Sequence, residues 1–267
     1  MLASIIVADA APRSVQSSDG VRIEYEVMGH HGPALVFVHG WSCDRSYWSG
    51  QLEPLARTAR VIAIDLAGHG GSGANRASWT MEAFGADVSA VVRQLDLDNV
   101  VLIGHSMGTD VIVEAARQMP DLVAGLVWVD RYNRLDQFRS EEAIARLIAP
   151  FRSDFVRATQ AYVRRLFPET ADTALVERVA KDMSSAPVSV ALPALESTLM
   201  HENAMPAALK ALQVPSVAIN AGYEPTDVQS MNDRGVEVII MSGVGHFLMM
   251  EQPERFNALL MQAIGKF

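Results

Sequence analysis

Gly104-His105-Ser106-Met107-Gly108 is the stretch of this 267-residue chain whose residue types and spacing promise chemistry. It follows an apolar run, Val100 to Ile103, and opens a segment of helical periodicity, Gly108 to Met119, that Pro120 stops. G-x-S-x-G between a strand and a helix makes a tight turn that lifts the central hydroxyl clear of the sheet edge. The residues two before and two after the serine must be small, or strand and helix cannot approach. A serine hydroxyl is a weak nucleophile until a base takes its proton. Seven histidines are available, and only His201 and His246 lie downstream of Ser106, where the order serine, acid, histidine puts the base. His201 falls in a helical stretch. His246 follows the last apolar run, in Gly243-Val244-Gly245-His246, and a loop there can carry an imidazole to the serine. Ser106 with His246 as base is the constellation of nucleophilic acyl transfer.

Two kinds of element must hold this pair. Val21 to Val27 alternates apolar and polar residues, as a half-buried strand does. Ala34 to Val38, Arg60 to Ile64, Val100 to Ile103, Leu126 to Val129, Ser216 to Ile219 and Val236 to Met241 are short apolar runs rich in β-branched residues, the pattern of strands covered on both faces. Between them lie helical patterns: one from Thr80, its N-cap, to Leu95, and one from Pro253, at the first helical position, to Ile264. The alternation predicts an α/β fold, a mostly parallel twisted sheet with helices on both faces. From about Arg131 to Met205 no strand pattern occurs, only amphipathic stretches such as Ser153 to Phe167 and Asp172 to Met183. This block is richer in arginine than its flanks, and Pro187, Pro193 and Pro206 punctuate its second half. It reads as an inserted helical lid. The expected division is therefore a core of residues 13–130 and 206–267, a lid of 131–205, and a leader or frayed terminus of 1–12. Met1 to Ala8 is apolar and Ala8-Asp9-Ala10 has the form of a cleavage site, but no basic residue precedes it. A cytoplasmic location is expected, with export as the alternative.

Taken together, the motifs resemble the α/β-hydrolase fold superfamily over nearly the whole length, and within it a serine esterase or lactonase. His39-Gly40-Trp41 resembles the oxyanion-loop segment; Asp65-Leu66-Ala67-Gly68-His69-Gly70 with Ser72 resembles the D-x-x-G-x-G-x-S turn; Gly245-His246 ahead of Glu251-Gln252-Pro253-Glu254 resembles the segment that brings the histidine into the last helix. The resemblance implies a carboxylate that fixes the tautomer of His246 and stabilises its imidazolium. Glu224, in Asn220-Ala221-Gly222-Tyr223-Glu224-Pro225, is favoured for that part. Asp130, at the end of Leu126 to Val129, is the rival, and Asp227 a weaker third. Oxyanion donors are expected from the backbone N–H groups of Met107 and Trp41. His105, Phe247 and Leu248 are expected in the pocket wall.

Composition removes other classes. A formal charge of −9 without a basic cluster lacks the footprint of a nucleic-acid binder. One cysteine, Cys43, forbids an internal disulfide and reads as a small buried hydrophobe. No apolar run reaches the roughly 18 residues of a membrane span. Gly68 to Gly73 matches G-x-G-x-x-G, yet the next helix waits until Thr80, so it reads as a turn rather than a dinucleotide loop. The histidines lack metal-ligand spacing, and no metal or cofactor is called for. The expectation is a serine hydrolase cleaving a carboxylic ester or lactone, its partner a small or medium apolar acyl compound. Carbon–carbon hydrolysis of diketones, cofactor-free perhydrolysis and a slow-turnover ligand receptor are the alternatives.

Overall fold

The computed structural model describes residues 12–136 and 138–267; the leader expected at 1–12 falls, all but its last residue, outside them. Eight strands form one sheet: β1 (Arg13–Gln16), β2 (Arg22–Met28), β3 (Ala34–Val38), β4 (Arg60–Ile64), β5 (Val100–His105), β6 (Val123–Val129), β7 (Ser216–Ala221) and β8 (Val236–Met241). Their order is β1-β2-β4-β3-β5-β6-β7-β8. β1 and β2 join antiparallel at one edge, and every pair from β4 to β8 is parallel. β3 and β5 are buried along their whole length, as the uninterrupted apolar runs require. The edge strand β1 was not expected: Arg-Ser-Val-Gln is short and mostly exposed, and carries no alternation to detect.

Helices α1 (Ser49–Leu55), α2 (Met81–Gln94) and α3 (Met107–Gln118) follow β3, β4 and β5. The Thr80 hydroxyl caps α2 by accepting from the Ala83 N–H. Between β6 and β7 stand five helices: α4 (Glu141–Ser153), α5 (Phe155–Arg165), α6 (Thr173–Met183), α7 (Val188–His201) and α8 (Met205–Ala211). Ser140, Asp154 and Asp172 cap α4, α5 and α6 in turn. Pro187 precedes α7 and Pro206 sits in the first turn of α8, where a missing N–H costs nothing. Pro193, expected as punctuation, lies inside α7 instead. α9 (Val228–Asn232) precedes β8, and α10 (Leu248–Glu251) and α11 (Pro253–Ile264) follow it. α2 and α3 pack on each other, while α11 packs on α1, α10, β6 and β7. Trp48, Trp128, Phe37, Phe84, Phe247 and Phe256 fill the interior. Among the described residues no helix is long and apolar enough to cross a membrane.

Candidate active site

Ser106 stands between β5 and α3 at φ 52°, ψ −122°, a backbone conformation that costs a non-glycine residue energy and is held by what surrounds it. Its N–H donates to the Val129 carbonyl at 2.9 Å, which ties the turn to the end of β6. The flanking glycines are needed for space. A Cβ on Gly108 would sit 2.5 Å from the Val38 carbonyl oxygen and 2.7 Å from that of His39, and one on Gly104 would meet the backbone of Gly108. Thr109 closes the turn by donating its hydroxyl to the Gly104 carbonyl at 2.9 Å.

His246 follows β8 and reaches across to this turn. Its Nδ1 is 2.7 Å from Oδ2 of Asp130, and Oδ1 of Asp130 accepts from the Ala221 N–H at 2.7 Å. Asp130 is the residue just after β6; at φ 48° it turns its carboxylate back between β7 and the histidine loop. The partner expected for His246, Glu224, is not there. β7 continues to Ala221, and Glu224 lies three residues further on an exposed turn, where its carboxylate accepts from Asn133 Nδ2 at 3.0 Å. Asp227 caps α9 by accepting from the Ser230 N–H.

Ser106 and His246 both line two adjoining cavities. The smaller, about 60 Å³, is walled by Trp41, Met107, Met183, Leu195, Leu199 and Phe247 among others. The larger, about 720 Å³, lies under α4, α5 and α7. His105 lines the smaller cavity, and its Nε2 is 2.8 Å from the His246 carbonyl, so it holds the histidine loop from below. Burial and the nearby His246 keep His105 neutral, its pKa well below the ordinary value. Leu248, expected in the wall, is instead fully buried in the core at the start of α10. Met107 opens α3, where the first N–H groups have no partner within the helix and point out of it. His39 shapes the neighbouring loop: its Nε2 accepts from the Leu66 N–H, so its Nδ1–H donates to the Gly40 carbonyl at 2.8 Å. Burial pushes its pKa down to about 4, and the ring stays neutral. In the Asp65 turn, the carboxylate accepts from the N–H groups of Arg45 and Gly71, and the Ser72 hydroxyl donates to the Asp65 carbonyl. This is a structural turn. Cys43 is buried, and burial raises its thiol pKa well above the ordinary value.

The helical insert is fastened to the site through main-chain oxygens. The Leu166 carbonyl accepts from the His246 N–H at 2.8 Å, and the Ala191 carbonyl accepts from the Trp41 indole N–H at 2.7 Å. Tyr47 adds a third tie, donating to Asp182 at 2.6 Å. Sequence reading missed the polar cluster behind the serine. Asp110 is fully buried and accepts from Tyr132, Arg131 Nε and His201 Nδ1–H at 2.6, 2.7 and 2.9 Å, while His201 Nε2 is 2.8 Å from Glu114. Burial pulls the His201 pKa down, but Asp110 and Glu114 outweigh it and hold the ring up to about 9, as an imidazolium. The available signal was the pair of acids four apart, Asp110 and Glu114, on one face of α3.

A family model described as the alpha/beta hydrolase family matches residues 35–259. The chain belongs to the alpha/beta hydrolase family. It is 27% identical over 96% of its length to the dihydrolipoyllysine-residue acetyltransferase component of the acetoin cleaving system of Cupriavidus necator, covering 70% of that protein. To a non-heme chloroperoxidase of Streptomyces lividans it is 40% identical over 119 residues, 43% of each chain. It also matches an uncharacterized protein of Mycobacterium bovis at 35% identity, over 46% of this chain and 36% of that one, so it spans about a third of that relative's length. Among solved structures, a thermophilic esterase from Thermogutta terrifontis superposes with a TM-score of 0.82 at 26% identity, covering 96% of this chain and 99% of that one. An N-acyl homoserine lactone degrading enzyme superposes with a TM-score of 0.81 at 25% identity, covering 94% and 99%.

Proposed function

We infer that the chain hydrolyses a carboxylic ester or lactone through an acyl-enzyme on Ser106. The observation that carries this reading is the 2.7 Å hydrogen bond between His246 Nδ1 and Asp130, with His246 and Ser106 lining the same two cavities. Asp130 holds Nδ1 protonated and leaves Nε2 as the base. Ser106 Oγ attacks the substrate carbonyl carbon while Nε2 takes the hydroxyl proton. The charge that develops on the carbonyl oxygen is stabilised by the N–H groups of Met107 and Trp41. Collapse breaks the ester bond, and His246 gives its proton to the departing alcohol. Water then attacks the acyl-enzyme with the same base, releasing the acid and restoring Ser106. In this reading residues 131–205 are a lid over a core of 13–130 and 206–267, with Phe247 in the wall of the acyl pocket.

The esterase and lactonase neighbours support an ester or lactone as substrate. The likeness to a chloroperoxidase favours a second reading, cofactor-free perhydrolysis, in which hydrogen peroxide replaces water as the attacking group and the acid leaves as a peracid. The test is hydrolysis of 4-nitrophenyl esters of increasing acyl length, by wild type and Ser106→Ala in parallel, with and without peroxide. Turnover that falls at least about 10³-fold in the variant is expected. Equal rates in the two proteins overturn the reading, and a peracid product in place of acid selects the second.

A further inference from the structure

The two cavities beside Ser106 differ in chemistry. The small one is walled mainly by apolar side chains, with His105, Arg131, Tyr162 and Thr198 also lining it, and has room for a group of only a few carbon atoms. The large one is lined by five arginines, Arg131, Arg134, Arg139, Arg146 and Arg165, against three carboxylates, Asp130, Glu202 and Glu224, and by no lysine. Three of them are engaged: Arg131 with Asp110 and Glu202, Arg139 with Glu202, and Arg134 with Asp136. Arg146 on α4 and Arg165 on α5 have no carboxylate within 4 Å among the described residues, though the chain carries nine more acidic than basic groups. Both are exposed side chains on the insert at the wall of the large cavity. Arg165 immediately precedes Leu166, whose carbonyl holds the His246 loop. A guanidinium presents a planar fork that matches a carboxylate or phosphate, and one without a partner at a cavity wall raises the local concentration of anions.

We propose that the substrate carries an anionic group at the end remote from the reacting carbonyl, with its small end in the apolar pocket and its carboxylate or phosphate held by Arg146 and Arg165. This rests on the hydrolase reading above, and it departs from the wholly apolar acyl compound that the sequence suggests. The probes are monoethyl and diethyl adipate, which differ at the far end by one ethyl group and one charge, followed by ethyl 5-phosphonopentanoate. Release of acid is followed at constant pH with wild type, Arg146→Ala, Arg165→Ala, the double variant and, as a control, Arg157→Ala, an exposed insert arginine away from both cavities.

The expected result is a higher kcat/KM for the monoester than for the diester. That ratio falls about tenfold in the double variant, recovers in part in the Arg→Lys forms, shrinks in high salt and is kept in the control. A further gain with the phosphonate identifies phosphate as the recognised group; no gain identifies carboxylate. A preference for the diester, a ratio indifferent to both arginines, or failure of both adipates while 4-nitrophenyl acetate is cleaved through Ser106 overturns this inference and leaves the hydrolase reading standing. Failure of 4-nitrophenyl acetate as well, with no Ser106 labelling by a phosphonate ester, removes both.

Discussion

Ser106 and Asp130 share an unusual backbone, both with φ near 50° and both just past the ends of neighbouring strands. A positive φ thus serves two purposes: it raises a hydroxyl off β5 and folds a carboxylate back from β6. On the proposed mechanism Asp130→Asn lowers kcat by about 10⁴-fold with little change in KM, because the amide favours the wrong imidazole tautomer. Glu224→Gln stays within about threefold of wild type, since it alters an exposed bond to Asn133. Steady-state kinetics of the two variants side by side check this, and the opposite order restores Glu224 as the acid. That Ser106 and His246 line the same cavities was legible because local motifs carry them. The bond to Asp130 was not, because two acids follow apolar runs and nothing in their neighbours tells which turn points inward. The strand order alone sets the end of β7 nearer to β8 than the end of β6. What brings Asp130 rather than Glu224 against the histidine loop is the turn after β6 and the Ala221 N–H that holds its carboxylate.

Among the elements, β3, β4, β8 and α11 have the limits their apolar patterns predict, and Thr80 caps α2 as expected. β5 and β7 run two residues beyond their apolar runs, because ladder bonds continue through Gly104, His105, Asn220 and Ala221 after hydrophobicity ends. The stretch Ser153 to Phe167 corresponds to α5 alone, α4 was not named before it, and α7 absorbed Pro193, since tertiary packing supports a helix that local signals interrupt. Glycine substitutions test the packing at this scale. Gly108→Ala forces a methyl into the fixed carbonyls of Val38 and His39 and is expected to cost about 3 kcal/mol or more. Gly243→Ala, at φ 78° with nothing within 4 Å, costs about 1 kcal/mol from the backbone alone. Urea midpoints of the two variants should differ accordingly, and equal midpoints would show that β5 and α3 can move apart.

Across the whole molecule, the insert is joined to α3 by the ion cluster around His201. Because its folded pKa, about 9, lies above the ordinary 6.5, the stabilisation is fully present below about pH 6.5 and disappears as pH rises through 9. A loss on the order of 2–3 kcal/mol is expected over that window. Melting temperatures from pH 6 to 10 should fall for wild type and stay flatter for His201→Asn; parallel curves would assign the loss elsewhere. Two of the remaining ties between insert and site have another character. Leu166 and Ala191 give oxygens of the peptide chain, which every residue type possesses, to the His246 loop and to Trp41. Side chains on the insert can therefore be exchanged one at a time without removing those acceptors. On the proposed mechanism, the range of compounds admitted is free to drift over generations while the reacting groups keep their positions, because the two properties are written in different atoms of the same segment.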